Sequence, residues 1–174
     1  MVRIDPRTNQ LVATIRTGGR PVHVAADDRS VWVAYPLDTL VKRIDPRTNR
    51  VVASLRVAQP QGVTLGFGSV WVPSQRGGEV LRVDPRTELR TVGGAGRIRV
   101  AGKPAYLAIG TDAVWVGTTD QTLQRIDPGT GRVTATYRLG AALYGMAVDG
   151  GSLWTVNPVG DTVSRARLPG REQP

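Results

Sequence analysis

The side chains that could do chemistry are few. His23 is the only histidine and there is no cysteine, so disulfides and thiolate-ligated metals are excluded. With no second imidazole to share a metal, His23 reads as a polar residue at a solvated opening or as one contributor to a binding surface. Asp27, Asp28, Asp112, Asp120, Asp149 and Asp161 stand in separate turn-like segments without the alternating spacing of a calcium loop, and turn capping accounts for them. Neither a G-x-S-x-G nucleophile elbow nor a phosphate-cradling P-loop occurs. No metal and no cofactor is therefore expected. Trp32, Trp71, Trp115 and Trp154 could stack a ligand, but they recur at one position of a repeat, which is how core residues of a repeat protein behave.

The repeat has two markers in step. Arg3-Ile4-Asp5-Pro6, Arg43-Ile44-Asp45-Pro46, Arg82-Val83-Asp84-Pro85 and Arg125-Ile126-Asp127-Pro128 form the first, with a degenerate copy at Ser164 to Arg167. Val31-Trp32-Val33, Val70-Trp71-Val72, Val114-Trp115-Val116 and Leu153-Trp154-Thr155 form the second, at spacings of 39 to 44 residues. Short β-branched runs at that period, punctuated by Gly, Pro and Asp, predict an all-β fold: a β-propeller of four-stranded antiparallel blades. In the first complete unit the strands a to d are expected at Pro21 to Ala26, Ser30 to Tyr35, Leu40 to Asp45 and Arg50 to Val57. Residues 1–20 would supply strands c and d of an incomplete blade, 21–57, 60–101 and 103–140 full blades, 143–168 strands a, b and c, and 169–174 a tail. A chain that starts in mid-repeat is expected to be part of a longer propeller. The alternatives are a four-bladed ring closed by pairing the last strands with the first strand d, two copies forming an eight-bladed ring, or an open arc. Open terminal faces would favour self-association.

The segment Arg3 to Asn9 repeats letter for letter at Arg43 to Asn49, and its order suits a hairpin turn. The Asp accepts from backbone N–H groups ahead of it, Pro presets φ, and Asn tolerates the left-handed conformation of a G1 bulge. Gly131 replaces Asn in the fourth copy, as that conformation predicts. The third copy has Glu88 there and a Gly-rich insertion over Thr91 to Arg97, so a longer, looser turn is expected. The same alignment sets Trp32 opposite Arg43, Trp71 opposite Arg82, Trp115 opposite Arg125 and Trp154 opposite Arg165, predicting a cation–π contact of up to about 6 Å in each blade.

Composition narrows the partners. The 174 residues are 40% hydrophobic and 21% charged, with a net charge of +9, values of a globular chain able to bury a core. Arg outnumbers Lys 21 to 2 within the 23 basic residues, and five of the Arg residues occupy the structural column just described. Without a recognition helix, an aromatic RNA platform or a dense basic run, specific nucleic-acid binding is not expected. Loose, salt-sensitive attraction to polyanions is. No stretch of 18 apolar residues and no leader pattern is present, so neither a transmembrane segment nor a signal peptide is expected.

Gly62-Val63, Gly68-Ser69-Val70-Trp71-Val72, Arg43 to Asn49 and Val51-Val52-Ala53-Ser54-Leu55 resemble the YVTN or YncE-like family of bacterial β-propeller repeats, and the likeness spans nearly the whole chain. The resemblance implies a propeller fold and an extracytoplasmic location (periplasmic, secreted or envelope-associated). The related streptogramin-lyase propellers use histidine with acidic residues and a metal. The D-P-x-T-G-x-V turn at Asp127 to Val133 also echoes quinoprotein propellers, but Thr134 to Tyr137 lacks their docking Trp.

The expected function is a noncatalytic binding or scaffold module that offers one face of the ring to a protein, glycan or small ligand. The alternative is a metal-dependent lyase of the streptogramin-lyase type. His23 shares a column with Gly62, Tyr106 and Gly145 at the start of strand a, on the channel side. The residues expected to line the binding face are His23, Tyr35, Ser74, Tyr106, Thr118, Tyr144 and Asn157, the tyrosines by stacking and the others by hydrogen bonds.

Overall fold

The computed structural model describes residues 1–86, 96–140, 143–149 and 151–168. Among them are seventeen strands and no helix. β1 (Val2–Asp5) and β2 (Gln10–Thr14) make a two-stranded first sheet. β3 (His23–Ala26), β4 (Val31–Tyr35), β5 (Leu40–Asp45) and β6 (Arg50–Arg56) make the second. The third holds β7 (Thr64–Gly66), β8 (Ser69–Ser74), β9 (Glu79–Val83) and β10 (Arg97–Arg99), and the fourth β11 (Pro104–Ile109), β12 (Val114–Thr118), β13 (Thr122–Asp127) and β14 (Arg132–Arg138). The fifth has three strands, β15 (Gly145–Asp149), β16 (Ser152–Asn157) and β17 (Thr162–Arg167). Every pairing is antiparallel between sequence neighbours, and β3, β7, β11 and β15 lie side by side as the innermost strands. This is a partial β-propeller.

The repeated heptad folds as its chemistry requires. Asn9, Asn49 and Gly131 have φ of 55°, 57° and 68°, and their N–H groups donate to the carbonyls of Asp5, Asp45 and Asp127 at 2.7, 2.8 and 2.9 Å. Asp5, Asp45 and Asp84 each accept a 2.8 Å bond from the N–H two residues ahead. A bulge follows the arginine in β1, β5 and β13, between Arg3 and Ile4, Arg43 and Ile44, and Arg125 and Ile126. The insertion in the third copy lies outside the described residues up to position 95. Beyond it Arg82 N–H donates to Gly96 O at 2.9 Å, and β10 returns to pair with β9.

Alternation along strand b builds the stack. Val33 and Tyr35 of β4 face the first sheet with Ile15 and Ile44, whereas Trp32 and Ala34 face the third with Val70, Val72, Leu81 and Val83. The next seam repeats the pattern, with Trp71 against Val114, Val116 and Ile126. In the last, Trp115 packs with Leu153 and Met146. The second, third and fourth sheets thus each send a Trp forward onto the next. Trp32, Trp71 and Trp115 are buried, but Trp154 is 41% exposed, because among the described residues no sheet follows the fifth.

All four Trp–Arg pairs adopt the expected register. The guanidinium lies 5.9, 5.3 and 5.3 Å from the ring centroid for Arg43–Trp32, Arg82–Trp71 and Arg165–Trp154. In the fourth sheet Ala113 stands where Ser30, Ser69 and Ser152 stand elsewhere, and Arg125 turns instead to Asp112 at 2.8 Å and to Thr134 at 3.0 Å. Among the described residues β2 pairs with β1 alone, and β15–β17 remain a separate sheet, so the last strands do not close one copy by pairing with the first strand d.

Candidate functional site

The innermost strands begin side by side, so the first residues of strand a converge on the channel side. There a cavity of about 410 Å³ is lined by Val22, His23, Gln61, Gly62, Thr64, Tyr106, Tyr144 and Met146, among others. Gly62 keeps the space beside His23 open, since a Cβ there would stand 3.8 Å from the imidazole. Gln61 Nε2 donates to Gln75 Oε1 at 2.9 Å, which fixes its amide at the rim. Tyr144 is half exposed, whereas Tyr106 is more deeply set. Burial pushes the Tyr106 hydroxyl above the usual phenol range, and the neighbouring Tyr144 adds to the shift.

Three of the seven expected residues, His23, Tyr106 and Tyr144, meet in this cavity. The other four are the last residues of their b strands, and their contacts are with neighbouring backbone, turns or the first seam. Ser74, buried, donates from Oγ to Ala58 O at 3.0 Å. Thr118, also buried, joins the Thr122 hydroxyl at 2.8 Å. Asn157 Oδ1 accepts from Val159 and Gly160 N–H at 3.1 and 3.3 Å. Tyr35 packs in the first seam with Lys42 Nζ 4.6 Å from its ring centroid, and burial raises its hydroxyl pKa. Gln61 and Met146 were not anticipated. Each is adjacent to a member of the His23–Gly62–Tyr106–Gly145 column, and that adjacency is the signal that could have found them.

No carboxylate lines the cavity, and among the described residues no group of three His, Cys, Asp or Glu could hold a metal. A second cavity, of about 490 Å³, opens between the second and third sheets on the side of the a-to-b loops, with Asp27, Arg29, Arg43, Ser69 and Arg86 in its lining. There Ser30 Oγ donates to Asp27 at 3.1 Å and accepts from Trp32 Nε1 at 2.9 Å, and Arg43 Nε is buried with no hydrogen-bond partner among the described residues. Arg82 and Arg165 instead donate from Nε to Ser69 and Ser152 at 2.9 and 3.0 Å. Burial would raise the Asp27 pKa, but bonds from the N–H groups of Arg29 and Ser30 and from the Ser30 hydroxyl outweigh it, and the net shift is downward.

The fold and its cavities compare with known proteins through structure alone. No family model matches the chain, and no curated protein matches it by sequence. Among solved structures it is similar to the computationally designed Ika4 protein (TM-score 0.71, 14% identity, 90% of this chain and 96% of that one). It is similar also to the designed Ika8 protein (0.74, 15%, 92% and 50%). A catalytically inactive virginiamycin B lyase from Staphylococcus aureus, solved with quinupristin, superimposes at TM-score 0.74 and 16% identity over 97% of this chain and 63% of that one. The chain therefore spans half of Ika8 and less than two thirds of the lyase. At such identities the likeness is one of propeller fold.

Proposed function

We propose that the protein is a noncatalytic β-propeller binding module of the YVTN or YncE-like kind, working outside the cytoplasm, and that it takes a small neutral or aromatic ligand in the channel-side cavity. The observation that carries this reading is the cavity itself. Its 410 Å³ falls in the range of roughly 300–1,000 Å³ common to small-molecule sites, and its lining alternates apolar walls with a few convergent polar groups. Tyr106 and Tyr144 supply stacking faces, while Gln61 and His23 supply hydrogen bonds. The lining favours binding over the lyase alternative, which would require carboxylates beside the histidine.

The test is a screen of neutral sugars and aromatic fragments by ligand-observed NMR, followed by affinity measurements on Tyr106→Ala and Gln61→Ala. Tyr106→Ala is expected to weaken a binder about three- to tenfold, the loss of one aromatic contact, with folding unaltered. Binders whose affinity is the same in both variants would place the site elsewhere. A metal-dependent cleavage of quinupristin by the wild-type chain would favour the lyase.

A further inference from the structure

The two ends of the stack expose opposite halves of a seam that the chain already makes internally. On the forward side of the fifth sheet stand Trp154, Val156 and Val163, all exposed, with Val156 opposite Val163 and Trp154 opposite Arg165. On the backward side of the first sheet stand Val2, Ile4 and Leu11, likewise exposed, with Ile4 opposite Leu11. Ile4 occupies the column of Ile44, Val83 and Ile126, which are fully buried where a preceding sheet covers them, yet Ile4 is 56% exposed. In the internal seams Trp32 shares its cluster with Val83, and Trp71 with Ile126. A Trp154–Ile4 contact is the next member of that series, and no single copy can make it because its two halves lie at opposite ends of the arc.

From this we infer that the protein self-associates head to tail, with the Trp154 face of one copy seated on the Val2–Ile4–Leu11 face of a second. The same occurs in return, so that two copies close on each other. The occupant is a second copy because the chain carries both complementary surfaces in the order in which its own sheets use them. The curvature agrees, since one such arc superimposes on half of a longer solved chain. A heterologous contact of this kind generates a ring when its rotation closes.

The experiment is light scattering coupled to size exclusion on the 174-residue chain, on Trp154→Ser, and on the double variant Val2→Ser with Ile4→Ser. The wild type is expected as a dimer. Each variant should dissociate at least about thirtyfold more readily, the effect of losing a central anchor. An equimolar mixture of the two variants should regain a 1:1 complex, because one native seam is restored. Circular dichroism confirms that the variants fold, which is expected because the replaced side chains are exposed. A monomeric wild type overturns the inference. So does a dimer that survives loss of Val2 and Ile4, since that would pair like faces, and so does a mixture that stays monomeric.

Discussion

At the scale of single residues, the protein rests on turn chemistry. Asp127 shows how a carboxylate holds a hairpin: the Thr130 N–H donates to its Oδ1 at 2.7 Å and the Thr130 hydroxyl at 3.0 Å. These bonds favour the ionised form and lower its pKa below the ordinary 3.8. Asp45 is lowered in the same way, first by the N–H of Arg47. A carboxylate whose folded pKa is depressed adds stability in full above its unfolded value, and that stability is lost as pH falls through the folded value. The wild type should therefore lose urea resistance as pH falls below about 4, and Asp127→Asn should lose less over the same fall. Equal acid sensitivity in the two proteins would show that the turn bonds carry no linkage. These turns were legible in the sequence because Asp, Pro and Asn or Gly at fixed offsets admit few backbone conformations. The site was less so. Strand alternation tells which side of a sheet a residue faces, but not whether its polar group bonds its own turn or points into the channel. Ser74 and Thr118 share the polarity of Gln61, yet Ser74 donates to Ala58 O in the connection between β6 and β7 and Thr118 closes the turn from β12 to β13.

At the scale of elements, the seams hold the molecule together. Those that follow the second, third and fourth sheets each depend on a Trp from strand b inserted against the next sheet, and the Trp–Arg registers follow directly from hairpin pairing. Trp71→Ala should destabilise the chain by about 3–5 kcal/mol, as large truncations in packed cores do. Trp154→Ala should cost the isolated chain within about 1 kcal/mol, because little more than its contact with Arg165 is lost. Urea midpoints at equal slope distinguish the two. Comparable losses would mean that the fifth sheet packs as the others do. The Trp column was readable from its period. Its exception in the fourth sheet was not: one Ser-to-Ala change in the repeat, at Ala113, leaves the arginine without its serine hydroxyl, and Asp112 is at hand to receive it.

Taken whole, the molecule is a stack with direction. The second to fifth sheets each carry a Trp on the forward face and the first to fourth an Ile or Val of one column on the backward face, so the ends differ from each other and from the interior. Burial at a given repeat position thus depends on whether a neighbour follows, which no local pattern encodes, and the repeated Trp is core in three sheets and exposed in the fifth. The net charge of +9 is spread through the repeat columns and turns, consistent with a structural use of arginine. The directional stack is tested most directly by acrylamide quenching of tryptophan emission in dilute protein, wild type against Trp154→Phe. Three shielded indoles and one accessible one predict a single quenchable component that disappears in the variant. Undiminished quenching in Trp154→Phe would mean that Trp32, Trp71 or Trp115 meets solvent, and it would contradict sheets stacked face to face.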